Sequence, residues 1–361
     1  MHDFVVVGAG PAGSRFARRA AASGYGVLVF EQGEVGTPLA CSGHVSTDIW
    51  EFTPTGAREK LLQNEVFGAR FHLGGTDSRA YEFYKNEPVS NVIDRVGLDR
   101  VLADSAREAG ADLREHHTVV GVTEHRDHVS VDVRGTDGLE THRAKMVAGC
   151  DGPKSRVRRE LNLPEPDELL HGVLGFDETP DDQDFVDVHL TVPRFFAWRI
   201  PRGDAGVEYG LGMAADSADV RERFDALVDE YGADVHRRCS GLIPIGPPRR
   251  VTGRRSFLIG DAAAQTKPFT GGGIRYGMTA ADHAAREIDP DSPGTLGDYE
   301  RAWRADLRID IRLGKLVRAG YSAPVLLQRA GMAVFEGEIG VHMDRPTSLF
   351  SREQLRALLS R

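Results

Sequence analysis

Hydrophobic and polar positions in the first thirty residues follow a definite order. Residues 3–7 are mostly apolar and predict a buried strand, and the glycine-rich residues 8–13 follow as a tight turn. Residues 14–23 then read as a helix rich in Ala and Arg, and residues 27–30 form a second apolar run that ends at Glu31. The order strand, turn, helix, strand and acid predicts a unit that binds a dinucleotide.

Each glycine of the turn has a physical role in such a unit. Gly8 permits a sharp turn, Gly10 leaves room for the backbone to approach a pyrophosphate, and Gly13 lets the helix pack closely on the strand. The start of the helix presents free N–H groups and a partial positive charge to phosphates. Glu31 is placed to accept hydrogen bonds from a ribose, so we predict nucleotide contacts at both ends of this unit.

The remaining pattern alternates between strand-like and helical stretches. Residues 66–84 predict antiparallel strands around a Gly74-Gly75 turn, and residues 112–147 predict a three-stranded meander. Residues 167–246 alternate as strands with one helix at 218–231. The other predicted segments are buried strands at 146–149 and 251–259, helices at 96–109, 155–161 and 273–288, and a mainly helical stretch from 295 to 361.

Strand-rich stretches therefore interrupt the nucleotide-binding pattern twice. We predict an α/β fold with an α+β insertion, in which a doubly wound domain carries the nucleotide. The predicted parts are a doubly wound domain from 1–65, 91–165 and 246–290, an antiparallel-sheet substrate domain from 66–90 and 166–245, and a C-terminal helical region from 291–361.

Composition and charge exclude several classes of protein. The 361 residues carry a formal net charge of −9, so we expect no nucleic-acid partner. Cys41, Cys150 and Cys239 form neither a disulfide framework nor the spacing of a metal site, so we predict no metal. The chain enters its first strand at once, which leaves no room for a signal peptide, and it has no apolar run of about 18 residues. We expect a cytoplasmic protein.

Two later motifs distinguish between the candidate dinucleotides. Residues 256–261 predict a strand that ends in Gly-Asp, and residues 268–274 hold three consecutive glycines before a helix. With residues 149–152, Gly-Cys-Asp-Gly, they resemble the FAD-dependent proteins of the glutathione reductase and aromatic hydroxylase type. This resemblance implies that Asp261 meets the ribityl chain or pyrophosphate and that the glycines lie against the flavin ring. Asp151 is equally consistent with a structural turn, and its role stays open.

Residues 196–201, Phe-Ala-Trp-Arg-Ile-Pro, and the Gly-Leu-Gly at 210–212 resemble the signature of the geranylgeranyl reductase family. That signature reads aromatic-x-Trp-x-Phe-Pro, then Gly-x-Gly after seven or eight residues. On a strand, Phe196, Trp198 and Ile200 share one face and form an apolar wall suited to an isoprenoid chain, and core packing inside a sheet domain is the alternative. The chain has Phe196 where Tyr is usual and Ile200 in place of Phe, so any role of the Tyr hydroxyl is lost.

Residues 38–43 resemble the Pro-x-x-Cys loop that lies beside the flavin in the same family. The resemblance implies that Cys41 lies near the reacting double bond, whereas a lone cysteine is also a common small core residue. The implied FAD contacts are Gly8, Gly10, Ala12, Gly13, Glu31, Gln32, Cys41, Ser42, Gly43, Arg95, Val119, Asp261, Gly272, Gly273 and Ile274. The implied substrate contacts are Phe196, Trp198, Ile200, Pro201, Gly210 and Gly212.

The resemblance implies an FAD-dependent oxidoreductase that saturates C=C bonds of geranylgeranyl chains in archaeal-type membrane lipids or their precursors. Its substrate would be an isoprenoid lipid or geranylgeranyl diphosphate. No second glycine motif follows a strand, so the electron donor is NAD(P)H docking transiently or a ferredoxin. The apolar residues 319–335 leave peripheral contact with the cytoplasmic membrane open.

Two alternatives remain at this stage. An FAD monooxygenase or halogenase acting on a small hydrophobic or aromatic substrate shares the glycine, Asp-Gly and Gly-Asp motifs. A halogenase favours Trp-x-Trp-x-Ile-Pro, and Phe196 breaks that pattern. A non-catalytic flavoprotein or lipid carrier would also keep the fold.

Overall fold

The structure, a computed structural model, describes residues 1–38 and 41–338. The helices of this part of the chain are α1 (Pro11–Ala22), α2 (Ala57–Leu61), α3 (Arg95–Glu108), α4 (Arg156–Glu160), α5 (Val220–Tyr231), α6 (Ile274–Glu287), α7 (Leu296–Gly320) and α8 (Val325–Phe335). The strands are β1 (His2–Val7), β2 (Val27–Phe30), β3 (His44–Ser46), β4 (Leu62–Val66), β5 (Gly68–His72), β6 (Ala80–Tyr84), β7 (Ser90–Ile93), β8 (Asp112–Arg114), β9 (Thr118–Glu124), β10 (Val129–Gly135), β11 (Gly138–Gly149), β12 (Glu168–Asp177), β13 (Phe185–His189), β14 (Ala197–Pro201), β15 (Val207–Ala214), β16 (Arg237–Ile245), β17 (Ser256–Leu258) and β18 (Gly337–Glu338).

A seven-stranded sheet forms the centre of the nucleotide-binding part. Its order is β8-β2-β1-β11-β10-β9, and β17 pairs with β11. Strands β8, β2, β1, β11 and β17 run parallel. The continuous apolar runs of β1 and β2 are buried, and α1 packs on both strands with α3 and α6 beside it. Edge-to-face contacts of Phe16 with Phe4 (5.2 Å) and Phe257 (5.3 Å) join α1 to the sheet. The carboxyl ends of these strands therefore meet at one edge, where such folds bind ligands.

The last strand of the predicted meander and the predicted buried strand at 146–149 are one continuous strand, β11. The first part of β11 pairs with β10 in an antiparallel hairpin, and β10 pairs with β9. The last residues of β11 pair with β1 on one side and β17 on the other. Alternating and continuous apolar patterns along β11 reflect this change of partner, because only its second half lies inside the parallel sheet.

An eight-stranded sheet, in the order β16-β12-β15-β14-β13-β5-β6-β18, lies on the other side of the molecule. The β5–β6 hairpin confirms the turn predicted around residues 74–75. Helix α5 covers one face of this sheet, where Phe224 and Leu227 pack on Tyr209 and Leu211. A small sheet of β3, β7 and β4 adjoins the start of α3.

The predicted strand over 251–259 is wrong in length. Only Ser256–Leu258 is a strand, because the chain turns back: Gly253 N–H donates to the Ser256 carbonyl (2.8 Å) and Leu258 N–H to that of Val251 (2.9 Å). Both arms of this turn are apolar and buried, so in sequence they read as one strand.

The stretch from residue 295 is helical in α7 and α8, but β18 then pairs with β6, which the helical prediction did not include. Residues 339–361 of the predicted helical region lie outside the described residues. Within the described ranges no helix has both the length and the apolar character needed to cross a bilayer.

Candidate functional site

A cavity of about 420 Å³ lies between the carboxyl ends of the parallel strands and the open face of the eight-stranded sheet. We call it the cleft. One wall comes from turns that follow β1, β11 and β17, and the opposite wall from side chains of β12, β14 and β16. The cleft residues include Gly10, Ala12, Pro38, Cys41, Ser42, Arg95, Cys150, Leu174, Trp198, Leu242, Ile243, Asp261, Lys267, Gly271, Gly272, Gly273 and Ile274.

The first glycine turn divides into residues that face the cleft and residues beneath it. Gly10 lines the cleft, and a side chain added there would meet nothing within 4 Å. Gly8 has a φ of +97°, and a Cβ there would overlap the Cys150 carbonyl. A Cβ on Gly13 would overlap the Gly8 carbonyl. Gly8 and Gly13 therefore permit strand and helix to approach, which leaves the start of α1 open to the cleft.

Glu31 lies at the end of β2 and holds the glycine turn in place. Its carboxylate accepts hydrogen bonds from Ala9 N–H (2.8 Å) and Gln32 N–H (2.9 Å). Burial raises the pKa of Glu31. Neither Glu31 nor the exposed Gln32 is among the residues that line the cleft, and Val119 is buried in β9, in the core of the seven-stranded sheet.

Arg95 begins α3 and is a buried cation of the cleft wall. Its Nη1 lies 2.5 Å from Oδ1 of Asp99. Burial alone would lower the pKa of Arg95, but Asp99 and Cys41 outweigh burial and raise it. Within the described chain, Arg95 Nε has no hydrogen-bond partner. The site therefore has a buried donor available to an acceptor in the cleft.

Asp261 follows β17 and lies against the start of α6. A Cβ on Gly273 would overlap Oδ1 of Asp261, so the carboxylate contacts the backbone of that glycine. Burial raises the pKa of Asp261 to about 6, and Arg95 opposes this shift. Gly271 has a φ of +74° and donates to the Lys267 carbonyl (2.8 Å). Residues 271–273, which we call the glycine segment, thus present their backbone to the cleft beside the Asp261 carboxylate.

The loop that follows β2 brings Cys41 and Ser42 to the cleft. Gly43 has a φ of +73°, and its missing side chain lets the loop pass over the Ile93 carbonyl. Leu39 and Ala40, the two middle residues of the predicted Pro-x-x-Cys loop, lie outside the described residues.

Trp198 and Ile200 alternate along β14, Phe196 directly precedes the strand, and of these three residues Trp198 lines the cleft. The Trp198 and Phe196 rings lie 5.6 Å apart. Pro201 ends β14 and is buried. The space above Gly210 holds the Trp198 indole, and that above Gly212 holds the Phe195 ring. Both glycines of β15 thus make room for aromatic rings from residues 195–198 of the same sheet.

Sequence reasoning missed several residues of the cleft. Leu174, Leu242 and Ile243 come from β12 and β16, which were predicted as strands, but their position opposite Trp198 depends on strand order. Lys267 precedes the glycine segment and is only 4% exposed. Its burial has no signal in the sequence, because Lys is ordinarily exposed.

Asp151, whose role the sequence left open, has donors of its own. Its carboxylate accepts from Ser155 Oγ–H (2.6 Å), Arg156 N–H (2.6 Å) and Val157 N–H (3.1 Å). These bonds cap α4 and account for Asp151 as a structural residue. Among residues 1–38 and 41–338, no group of His, Cys, Asp or Glu is arranged to hold a metal ion.

The glycine turn, the acidic end of β17 and the opposing sheet define an FAD-binding flavoprotein. Residues 1–194 match the family described as FAD binding domain, so the cofactor is FAD, as predicted. Digeranylgeranylglycerophospholipid reductase 1 of Methanococcoides burtonii is 30% identical, and the match covers 88% of this chain and 83% of that protein. Digeranylgeranylglycerophospholipid reductase 2 of Methanothermobacter thermautotrophicus is 31% identical, with 84% and 83% covered. The chain belongs to the digeranylgeranylglycerophospholipid reductase family.

A solved structure has the same fold. A geranylgeranyl bacteriochlorophyll reductase-like protein from Thermoplasma acidophilum superposes with a TM-score of 0.85 at 23% identity, covering 100% of this chain and 96% of that one. The predicted fold class and the resemblance to the geranylgeranyl reductases are both confirmed.

The described residues fit FAD. Gly10 leaves open space where a pyrophosphate would approach the start of α1, and Arg95 Nε is a buried donor that needs an acceptor. Asp261 is an acceptor whose burial is relieved when hydroxyl groups donate to it. Each feature matches a phosphate, carbonyl or hydroxyl group of the cofactor.

Proposed function

We propose that this chain is an FAD-dependent reductase that saturates C=C bonds of geranylgeranyl chains in archaeal-type membrane lipids or their precursors. The observation that carries the proposal is the cleft itself. Trp198, Leu174 and Ile243 form an apolar wall opposite the glycine segment and Asp261. The relatives at about 30% identity are named for the reduction of digeranylgeranyl glycerophospholipids.

We propose that four parts of the chain bind the cofactor. These are the glycine turn, the loop with Cys41, Ser42 and Gly43 (the Cys41 loop), Arg95 and the glycine segment. Cleft-lining residues contact it directly, whereas Gly8, Gly13 and Glu31 shape the turn beneath. The proposed set is Gly8, Gly10, Ala12, Gly13, Glu31, Gln32, Cys41, Ser42, Gly43, Arg95, Val119, Asp261, Gly272, Gly273 and Ile274. The proposal is supported by the position of nine of these residues, all of which line the cleft.

Bound FAD supplies hydride chemistry, and the chain supplies position and a dry environment. An isolated alkene is a poor hydride acceptor, so alignment within a water-excluding cleft provides much of the rate. Burial of an isoprenoid tail stabilises the complex by about 25 cal/mol per Å² of apolar surface. We propose that the wall around Trp198 holds the alkene and that the Cys41 thiol, beside Arg95, holds the proton for the second alkene carbon.

We further propose that the protein takes its lipid at a membrane surface through α8. Leu326 and Leu327 are 77% and 65% exposed, and Val334 and Phe335 at the other end of α8 are exposed as well. An exposed apolar helix of this kind binds at the interface of a bilayer. The reductant in this proposal is NAD(P)H or a ferredoxin on the cytoplasmic side.

The test is anaerobic reoxidation of the reduced enzyme. Digeranylgeranylglycerophospholipid in detergent should restore the absorbance of oxidised flavin, and mass spectrometry should find the lipid heavier by two hydrogens per bond reduced. A saturated lipid of equal length is the control and should leave the flavin reduced. Reoxidation by oxygen alone, with a hydroxylated or halogenated product, would contradict the proposal and favour a monooxygenase or halogenase.

A further inference from the structure

We propose that Glu208 and Arg202 are positioning residues that join the two sides of the cleft. Glu208 fixes the indole of Trp198, and Arg202 fixes the Cys41 loop through the Ser42 carbonyl. The inference rests on the proposed function, because what these contacts align are the wall that holds the alkene and the loop beside the flavin.

Glu208 lies on β15 and is fully buried. Its Oε1 accepts the hydrogen bond of Trp198 Nε1–H at 2.9 Å. Its Oε2 lies 3.3 Å from Nη1 of Arg202. A buried indole N–H requires an acceptor, and this bond determines how the ring is oriented at the cleft.

Arg202 follows β14 and reaches from the sheet to the cofactor side. Its Nη1 donates to the Ser42 carbonyl at 2.7 Å, and its Nη2 donates to Oε1 of Gln63 at 2.6 Å. The guanidinium also lies over the Phe176 ring, 5.3 Å from its centre. Ser42 and Arg202 are 160 residues apart in sequence, so this bond connects the Cys41 loop to the sheet.

Glu208 and Arg202 are both buried, and burying charged groups costs free energy. We therefore infer that their role is to fix the positions of their partners. Burial raises the pKa of Glu208, and the net value is about 7 although Arg202, the Trp198 hydrogen bond and Arg237 all act to lower it. A buried ion pair adds little stability compared with apolar packing, yet it specifies one arrangement of its partners. Here the partners are Trp198 and the backbone beside Cys41, both of which line the cleft.

The test compares Glu208→Ala, Glu208→Gln and Arg202→Met with Asp187→Asn. Asp187 is a matched control, because it is a buried carboxylate of the same sheet, pairs with Arg70 and His72, and lies outside the cleft lining. Two readouts are independent of activity. One is the near-ultraviolet circular dichroism band of Trp198, which is identified by its loss in Trp198→Phe. The other is the alkylation rate of Cys41, followed by peptide mass spectrometry.

We expect Glu208→Ala to lose the Trp198 band and to reduce kcat about 10- to 100-fold, with FAD content and far-ultraviolet spectrum retained. Glu208→Gln keeps an acceptor for the indole and should recover most of the band. Arg202→Met should change the Cys41 alkylation rate at least about threefold. The double variant Trp198→Phe with Glu208→Ala should be no slower than the slower single variant, because each substitution removes the same hydrogen bond between Trp198 and Glu208. Asp187→Asn should leave the band and alkylation rate unchanged.

Failure of this inference differs from failure of the proposed function. If the wild-type enzyme reduces the lipid while Glu208→Ala and Arg202→Met keep the band, alkylation rate and kcat, Glu208 and Arg202 do not position the cleft. If the wild-type enzyme leaves the lipid unreduced while the variants lose the band and change alkylation, the positioning stands and the proposed reaction is wrong.

Discussion

The two walls of the cleft differ in whether backbone or side chains face the cavity. The wall at the ends of the parallel strands presents bare backbone at Gly10 and residues 271–273, which have no side chains. The opposite wall is made of side chains, among them Leu174, Trp198 and Ile243. A backbone wall can donate N–H groups to a polar cofactor, whereas a side-chain wall can match the shape of an apolar substrate. The two walls should therefore respond differently to substitution.

Gly13→Ala should have the largest effect, because the new Cβ would overlap the Gly8 carbonyl and backbone has to move. We expect a loss of about 3 kcal/mol or more in the free energy of unfolding, together with loss of bound FAD. Gly10→Ala is the matched control, since a Cβ there meets nothing within 4 Å. It should keep the stability of the FAD-free protein and weaken FAD binding. Thermal unfolding and flavin content measure both, and equal unfolding temperatures for the two FAD-free variants would contradict this account of the turn.

Trp198→Ala should leave the backbone wall intact and damage the side-chain wall. We expect FAD to stay bound and kcat/KM for the geranylgeranyl lipid to fall about 10- to 100-fold, because the alkene loses its contact surface. Trp198→Phe keeps an aromatic ring and should lose less. Anaerobic stopped-flow reoxidation measures the difference. Full activity in Trp198→Ala would show that the alkene lies elsewhere.

Asp261→Asn should separate stability from cofactor binding. The folded pKa of about 6 lies above the ordinary Asp value of 3.8, so in the FAD-free protein ionisation of Asp261 opposes folding as pH rises from about 4 to 6. Above pH 6 the FAD-free variant should be more stable than wild type by about 1–2 kcal/mol, while FAD binds more weakly. Denaturant unfolding at pH 4 and pH 8 checks the sign, which would be wrong if the stability difference between variant and wild type did not grow with pH.

The smallest effect on stability is expected far from both walls. Leu326→Gln with Leu327→Gln replaces side chains that are mostly exposed, so the free energy of unfolding should change by less than about 0.5 kcal/mol. Binding to sedimented vesicles should nevertheless fall roughly tenfold. Leu139→Gln is the matched control, because Leu139 is 66% exposed on the β10–β11 hairpin. Equal vesicle binding by all three proteins would remove α8 as the membrane contact.

Local patterns alone gave the nucleotide-binding unit. The buried run of β1, the glycines after it and the apolar run of β2 lie within about thirty residues, so their periodicity and turn chemistry specify the unit without distant partners. The helix predicted over 96–109 is α3, and the structure adds that Asp94 caps its start by accepting from Gly97 N–H at 3.0 Å. Family motifs brought Asp261 and Trp198 to attention as well, because both lie within distinctive short stretches.

The tertiary structure alone decided which of these residues meet. Residues 251–259 appeared as one strand because burial on both arms of a turn has the same pattern as burial along a strand. Likewise, the family resemblance implied that Gly210 and Trp198 both contact the substrate, whereas in the structure the space above Gly210 holds the indole. The bonds among Trp198, Glu208, Arg202 and Ser42 depend on strand order and on a loop 160 residues away. Contacts over such separations have no local signal, since they arise only when packed sheets bring distant segments together.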